Sequence, residues 1–141
     1  MVARHNAHAL SGENGKLVEA LVSSSSREGR SALASLIRRG DNAAAELIGI
    51  ALLRSNWPAC DRLADALVQT GTDEARTALI QALKGRRHHI RSAAVKALVR
   101  IGGPGVREAI ERRANDPSYE VRQDVAEALR QLDAKGLASE P

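Results

Sequence analysis

Apolar residues recur along this chain at the spacing of one face of an α-helix. In residues 90–101 they occupy positions 90, 94, 97, 98 and 101. These positions fall on one side of a helix, because each residue advances by about 100° around the axis. The two-residue alternation of a half-buried strand is absent from the sequence. The pattern therefore predicts an all-α protein.

The same pattern returns at a fixed interval of 31 residues. One position of the repeat is leucine in all four copies: Leu36, Leu67, Leu98 and Leu129. The position four residues later is glycine in the first three copies: Gly40, Gly71 and Gly102. A fixed period of this length is typical of a protein built from stacked, similar units. We therefore predict an α-solenoid of about four two-helix repeats, with units at residues 12–40, 41–71, 72–102 and 103–133.

Each unit divides into a first and a second helix. The apolar pattern predicts first helices at 13–23, 42–53, 73–84 and 104–115, and second helices at 28–39, 59–70, 88–101 and 118–132. The glycine that follows a second helix predicts a left-handed helix end, which costs other residues more. Helix N-caps are expected at Asp41 or Asn42, and at Thr72 or Asp73. Residues 1–11 and 134–141 are expected to be a flexible arm and a flexible tail.

Composition narrows the core and the cellular setting. The 141 residues include no Phe, one Trp and one Tyr, so alanine, leucine, isoleucine and valine must form the core. Apolar runs stay shorter than the ~18 residues that a membrane span requires, and residues 1–11 lack the apolar stretch of a secretory signal. The single cysteine, Cys60, allows no internal disulfide and is compatible with a reducing compartment. We therefore expect a cytoplasmic protein with no membrane partner.

Two segments carry a motif that resembles a known family. The fourth unit reads Asn-Asp-Pro-Ser-Tyr-Glu-Val-Arg from position 115, with alanine at 126 and 128 and leucine at 129. The third unit reads His-Ile-Arg from position 89, with alanine at 94 and 97, leucine at 98 and Ile-Gly at 101–102. These residues resemble the HEAT-like repeat of the phycobilin-lyase (PBS lyase) type, closely over 85–132 and more loosely back to about residue 13. The resemblance implies an α-solenoid whose second helices line the concave side.

The resemblance also implies a structural ladder of hydrogen bonds. In the family, an Asp before the second helix commonly pairs with an Arg after the first aliphatic residue of that helix. This chain has both residues only in the fourth unit, as Asp116 and Arg122. The third unit has Arg91 with Gly85 at the Asp position, and the second unit has Arg54 and Cys60. The ladder is therefore expected to be broken outside the fourth unit.

The family contains mostly non-catalytic binding modules. Some relatives handle bilin chromophores, and others hold two irons through paired His-Glu motifs and hydroxylate a protein lysine derivative. This chain contains no His-Glu dipeptide, and its histidines at 5 and 8 are far in sequence from those at 88 and 89. The sequence therefore predicts no catalytic residue, no metal and no cofactor. An enzyme or accessory protein related to the bilin lyases or the hydroxylases is one alternative.

The side of the second helices that faces away from the core is the first candidate site. It carries charges of both signs: Asp61, Asp65, Gln69, Ser92, Lys96, Arg100, Gln123 and Glu127. A nucleic-acid groove should be basic along its length, and this face is not. Mixed charge suits a protein or peptide partner, which makes a non-catalytic scaffold our leading hypothesis. An ordinary solvated face with charge pairs between neighbouring repeats is the alternative.

A basic stretch is the second candidate site. Residues 84–113 contain nine Lys or Arg and two Glu, a net charge of +7 in a chain whose total is +4. The candidate anion-binding residues flank the turns of the third and fourth units: Lys84, Arg86, Arg87, His88, His89, Arg91, Arg112 and Arg113. Such a cluster predicts binding of nucleic acid or another anion, which is our second hypothesis. A solvated turn that improves solubility is the alternative.

Rings recur at one repeat position at the start of the second helices. Trp57, His88 and Tyr119 follow one another at intervals of 31 residues. Aromatic side chains spaced along a ridge could anchor a partner, because Trp and Tyr dominate binding hot spots. They could equally cover the adjacent helix ends, and the sequence favours neither interpretation.

Overall fold

The protein is helical throughout the residues that the computed structural model describes, 12–23 and 26–139. These residues form eight α-helices and no strand: α1 (Gly12–Val22), α2 (Arg27–Arg39), α3 (Asn42–Arg54), α4 (Ala59–Thr70), α5 (Asp73–Ala82), α6 (His88–Ile101), α7 (Val106–Glu111) and α8 (Tyr119–Ser139). The predicted all-α class is confirmed. The arm predicted for residues 1–11 lies outside the described part of the chain. Among the described helices, none is both long and apolar enough to cross a membrane.

The helices stack as consecutive pairs in two layers. The first helices α1, α3 and α5 contact one another in order along one layer, and the second helices α2, α4, α6 and α8 do so along the other. Each first helix also packs on the second helix of its own pair. Helices this short are marginal alone, so each pair depends on its neighbours to bury its apolar face. This is the α-solenoid that the 31-residue period predicts.

Small aliphatic side chains fill the space between the two layers. The repeated leucines at 36, 67 and 98 are buried, and Leu129 in the fourth unit is half-buried against the same core. In the first layer, α3 and α5 approach closely at Gly49, where an added Cβ would lie 2.9 Å from the Cβ of Ala78. The absence of bulky aromatic residues from the core thus goes with close helix-on-helix contact.

The helix ends follow the predicted glycines and caps. Gly40 and Gly71 adopt the left-handed conformation, with φ of 61° and 67°. Gly102 also has a positive φ of 65° but an extended ψ of −168°, so the chain leaves α6 in a different direction. Asp41 and Thr72 are confirmed as N-caps, since each side-chain oxygen accepts a hydrogen bond from the amide three residues later, at 2.8 and 3.0 Å.

The first helix of the fourth unit is shorter than predicted. It covers only residues 106–111 instead of 104–115. Gly103 and Gly105 have φ of 99° and 82°, values that a helix does not accept, and they delay its start. Hydrogen bonds between residues three apart then tighten the chain after Glu111, which ends the α-helix early.

The last helix is longer than predicted. It was expected to end at residue 132 and to be followed by a flexible tail, but it continues to Ser139, so residues 134–139 are helical. Lys135 Nζ donates a hydrogen bond to the carbonyl of Val99, 2.8 Å away. That carbonyl has no partner within its own helix, because α6 stops two residues later at Ile101. The extra turns of α8 therefore reach back over the end of α6.

Candidate functional site

The polar residues predicted on the second helices lie mostly on the surface. Six are exposed and one is half-buried: Asp61, Gln69, Lys96, Arg100, Gln123 and Glu127, with Asp65 half-buried. Two shallow grooves flank α6 on this side, about 260 Å³ between α4 and α6 and about 280 Å³ between α6 and α8. Lys96 and Arg100 line both grooves. We call the two grooves and the side chains that line them the second-helix face.

Ion pairs and hydrogen bonds occupy part of the second-helix face. Arg100 Nη1 lies 2.5 Å from Asp65 Oδ1 and links α6 to α4, and the Asp65 carboxylate also accepts a hydrogen bond from Gln69. These contacts match the alternative of charge pairs between neighbouring repeats. Asp61 and Lys96 form no ion pair within the described residues, although both line the groove between α4 and α6. Two opposite charges in this groove therefore remain available to a partner.

Ser92 is not an accessible member of the second-helix face, contrary to the prediction. The residue is only 2% exposed. Its hydroxyl donates a hydrogen bond to Asp124 Oδ2 on the next second helix. The helical register places Ser92 against α8 instead of solvent, because α6 packs against α8. Ser92 therefore joins the third unit to the fourth.

The structural ladder runs between units and not within one. Arg91, buried in the third unit, donates hydrogen bonds from Nε and Nη2 to the carboxylate of Asp116 in the fourth unit, at 2.8 and 3.0 Å. Arg122 does not reach that carboxylate; its Nη1 donates instead to the carbonyls of Asp116 and Pro117, at 2.7 and 3.1 Å. The predicted pair of Asp116 with Arg122 is therefore corrected: the carboxylate binds the arginine of the preceding repeat.

The Asp116 carboxylate is the centre of a buried network. It also accepts hydrogen bonds from Arg113 and, at 2.9 Å, from the amide of Ser118. Burial alone would raise the pKa of Asp116, but the hydrogen bonds from Arg91, Arg113 and Ser118 outweigh it and hold that pKa well below its usual range. The charge is therefore kept inside the protein by three donors.

Arginines satisfy an equivalent pair of carbonyls in three successive units. Arg91 Nη1 donates to the carbonyls of residues 85 and 86, both at 2.9 Å. Arg122 Nη1 donates in the same way to the carbonyls of residues 116 and 117. The counterpart of Arg91 in the second unit is Cys60, which has no guanidinium. There Arg87 reaches back from the third unit to the carbonyls of residues 54 and 55, at 3.3 and 2.7 Å. One arginine of the following repeat thus replaces the missing one.

Cys60 itself is a structural residue. It is fully buried, and its thiol donates a weak hydrogen bond to the carbonyl of His89 at 3.7 Å. Burial raises the pKa of the Cys60 thiol, and the nearby Asp61 carboxylate adds to this effect. A nucleophilic thiolate is therefore disfavoured at this position.

The predicted anion-binding cluster divides into three groups, and its lysine and arginines form two of them. Arg87, Arg91 and Arg113 have structural partners. The anion-binding prediction for Arg91 is therefore corrected: the residue is buried, and its guanidinium binds Asp116 and backbone carbonyls. Three others are exposed and form no ion pair within the described residues: Lys84, Arg86 and Arg112. The free positive charge of this edge is therefore smaller than the sequence suggests.

The remaining two residues of that cluster, His88 and His89, belong to a different arrangement. Their rings lie 4.0 Å apart, and both face Glu120 at the start of α8. Glu120 Oε2 is 3.5 Å from His88 Nε2 and 3.9 Å from His89 Nδ1. The ring of His89 is also 6.3 Å from that of Trp57. A compact group of imidazoles and one carboxylate thus forms where the third unit meets the fourth.

The predicted aromatic residues are on the surface. Trp57 is 62% exposed and Tyr119 is 68% exposed, and His88 is exposed as well. Trp57 lies beside His89, while the guanidinium of Arg122 lies 5.8 Å from the centre of the Tyr119 ring. The three predicted side chains are therefore accessible from solvent.

Sequence reasoning missed two acidic residues that the fold brings into contact with predicted ones. Glu120 stands one 31-residue period after His89, and Asp124 stands one residue beyond the period from Ser92. In a solenoid, residues one period apart lie side by side on neighbouring units. A comparison of each candidate residue with the position about one period downstream would have found both.

Comparison with known proteins gives one match. A family model described as HEAT repeats matches residues 44–130, which is more than half of the chain. A search among curated proteins finds none that matches. The matched segment contains all but the first two residues of α3, α4 to α7 entirely, and most of the part of α8 that lines the second-helix face.

Proposed function

The chain belongs to the HEAT repeats family, and from this premise we propose that it is a non-catalytic scaffold that binds a protein or peptide on its second-helix face. Repeats of this kind are commonly protein-interaction scaffolds. They suit the task because a stack of helices offers a long, continuous surface whose charges vary from unit to unit. The fold alone would not select this function, so the proposal rests on the charges of the face.

The observation that carries the proposal is that one groove contains two charges of opposite sign, neither of which forms an ion pair within the described residues. Asp61 and Lys96 line the groove between α4 and α6 and have opposite signs. Both are exposed, so they are hydrated in the free protein and ready to exchange water for a partner group. A peptide with a basic side chain opposite Asp61 and an acidic one opposite Lys96 would match the groove in charge. Arg100 is neutralised by Asp65 and would contribute shape more than charge.

Nucleic acid fits this face less well than a protein does. The two grooves are lined by Asp61, Asp65, Asp124 and Glu127 as well as by Lys96 and Arg100. These carboxylates would repel phosphates along most of the surface. The basic edge of Lys84, Arg86 and Arg112 is the part of the chain on which binding of an anion or nucleic acid would depend.

A finer relationship within the family is also part of the proposal. The motifs at residues 85–132 are closest in type to the phycobilin-lyase HEAT-like repeat, which we propose as the subtype of this chain. No enzymatic role in chromophore or lysine chemistry is proposed. The single cysteine is compatible with action in a reducing cytoplasm.

Matched charge reversals test the proposal. The protein would be immobilised through its N-terminus, with no tag on the rest of its surface. A partner captured from an extract of the source cells would then be identified and produced separately. We expect Lys96→Glu and Asp61→Lys each to weaken binding of that partner about tenfold or more, which corresponds to about 1.4 kcal/mol. Lys84→Glu is the control, because it reverses the same charge on another exposed lysine, which belongs to the basic edge.

The outcomes distinguish the hypotheses. Loss of binding in Lys84→Glu with normal binding in Lys96→Glu would move the function to the basic edge. Retention of nucleic acid alone, released by nuclease and by rising salt, would exclude the protein-docking proposal. Restoration of Lys96→Glu binding by a compensating charge reversal in the partner would confirm it.

A further inference from the structure

The geometry points to a site for a divalent transition-metal ion, best represented by Zn²⁺, formed by His88, His89 and Glu120. One ligand atom from each residue lies within 4.8 Å of the other two, within the part of the chain that the structure describes. The two histidines come from the first turn of α6, and the glutamate comes from the first turn of α8. The site does not use the residues that line the second-helix face, so it is independent of the proposed function.

Two of the three distances between ligand atoms are close to those of a tetrahedral zinc site, and the third, between the two histidine nitrogens, is within 4.8 Å. Ligand atoms about 2.0–2.2 Å from Zn²⁺ in a tetrahedron lie about 3.3–3.6 Å from one another. Glu120 Oε2 is already 3.5 Å from His88 Nε2 and 3.9 Å from His89 Nδ1. Small rotations of side chains that are not packed in the core would close the difference.

The donor set selects the class of metal. Two imidazole nitrogens and one carboxylate oxygen suit Zn²⁺, Ni²⁺ or Cu²⁺, whereas Mg²⁺ and Ca²⁺ prefer oxygen ligands throughout. Three protein ligands would leave a fourth position for water or for a ligand atom from another molecule. The side chains of His88, His89 and Glu120 are 46%, 43% and 49% exposed, so an ion can enter from solvent.

The local charges allow a cation here despite the basic sequence around it. Four arginines lie within two residues of a proposed ligand: Arg86, Arg87, Arg91 and Arg122. Backbone carbonyls hold the guanidiniums of Arg87, Arg91 and Arg122, and Arg91 also binds Asp116, whereas Arg86 is exposed and forms no ion pair in the described part of the chain. Glu120 contributes the negative charge that offsets an incoming ion. Its known contacts are with the two histidines, so binding a metal breaks no other interaction of this carboxylate.

The position of the site implies a mechanical role. Two ligands belong to the third unit and one to the fourth, so a bound ion would clamp α6 to α8 beside the Arg91–Asp116 pair. An ion that binds only the folded state stabilises it by mass action. The fourth unit would therefore be the part of the solenoid most strongly stabilised by the metal.

The experiment uses the only tryptophan of the chain as the probe. Trp57 lies 6.3 Å from the ring of His89, so paramagnetic Cu²⁺ bound at the site should quench its fluorescence. The full chain, prepared without a histidine tag, is titrated with Cu²⁺, and Zn²⁺ is then added to compete. We expect saturable quenching at one ion per chain that Zn²⁺ reverses, and direct calorimetric titration with Zn²⁺ should give the same stoichiometry.

Matched variants identify the ligands. His89→Ala and Glu120→Gln should each weaken binding by more than the ~10- to 100-fold that loss of a supporting group causes. The double variant His5→Ala/His8→Ala removes as many imidazoles elsewhere, and Glu111→Gln removes another exposed carboxylate; both should bind like the original protein. Circular dichroism checks that each variant is folded.

The opposite results would overturn the inference. Binding that survives in both His89→Ala and Glu120→Gln would assign the ion to other residues. Binding lost only in the His5→Ala/His8→Ala variant would assign it to the N-terminal histidines. Absence of saturable quenching and of calorimetric heat with every metal tried would leave the three side chains as an ordinary ion-pair cluster. None of these results affects binding of a protein at Lys96 or Asp61.

Discussion

Two junctions between neighbouring units meet the same backbone requirement in different ways. One joins the second unit to the third, and the other joins the third unit to the fourth. In each, a pair of carbonyls before a second helix needs a donor. In the third unit Arg91 supplies it from within the unit and extends to Asp116 of the next. In the second unit, where Cys60 replaces that arginine, Arg87 supplies it from the following unit.

Each of these units keeps a donor for the carbonyl pair, whereas the residue that supplies the donor changes. The carbonyl pair recurs because it follows from the backbone path into the second helix, and an arginine satisfies it in three successive units. The residue that carries the arginine changes, because its long side chain reaches across a unit boundary. Only the later junction adds a buried carboxylate, so only that junction should depend strongly on an internal charge.

The largest expected effect comes from removing that charge. Asp116→Asn leaves Arg91 and Arg113 without their shared partner, and we expect it to lower the free energy of unfolding by about 3–5 kcal/mol. Urea denaturation followed by circular dichroism measures the change. Asp133→Asn is the control, since its ion pair with Arg107 is on the surface and should contribute at most about 1 kcal/mol. Equal losses in the two variants would contradict the special status of the later junction.

Arg91 and Arg122 occupy the same repeat position, but their replacement should lower the free energy of unfolding by different amounts. Arg91→Met removes bonds to a buried carboxylate and to two carbonyls, and we expect it to cost about 3 kcal/mol. Arg122→Met removes bonds to two carbonyls near the surface and an exposed contact with the Tyr119 ring, and it should cost about 1 kcal/mol. Denaturant unfolding of both variants measures the difference. If Arg122→Met were the more harmful change, the predicted pairing within the fourth unit would be favoured over the one observed.

Acid should reduce the difference in the free energy of unfolding between the original protein and the Asp116→Asn variant. The folded pKa of Asp116 is lowered below its unfolded value of about 3.9. Its contribution is therefore complete above that value and is lost as the pH falls toward the folded pKa, because the unfolded chain takes up the proton first. We expect the stability gap between the two proteins to narrow between about pH 5 and pH 2. A gap that is constant over this range would show that Asp116 does not titrate differently on folding.

The smallest effect tests the earlier junction. Arg87→Met removes the donor from the carbonyls of residues 54 and 55 and should cost about 1–2 kcal/mol. Arg86→Met, one position earlier, changes an exposed arginine with no ion pair in the described part of the chain and should stay within about 0.5 kcal/mol. Thermal unfolding monitored by circular dichroism compares the two. Identical melting temperatures would mean that water replaces Arg87 at no cost.

Helix positions and caps were predictable, whereas contacts between units were not. The predicted second helix at 88–101 has the bounds of α6, and Asp41 and Thr72 act as the caps that their residue types predict. The pairing of Arg91 with Asp116 could not be predicted from the pattern within one unit, because the two residues belong to neighbouring units. The position of Ser92 was missed for a similar reason: helical periodicity gives the core side of α6 but not the side that meets α8.

The sequence by itself determined the all-helical class, the 31-residue unit and most helix ends. These features follow from apolar spacing, glycine and cap residues, which act over a few neighbouring positions. Only the tertiary structure decided which polar groups meet: Arg87 with the second unit, Arg91 with Asp116, and Glu120 with the two histidines. Those pairings depend on how far one unit is shifted and rotated against the next, and long side chains turn a small change in that geometry into a different partner.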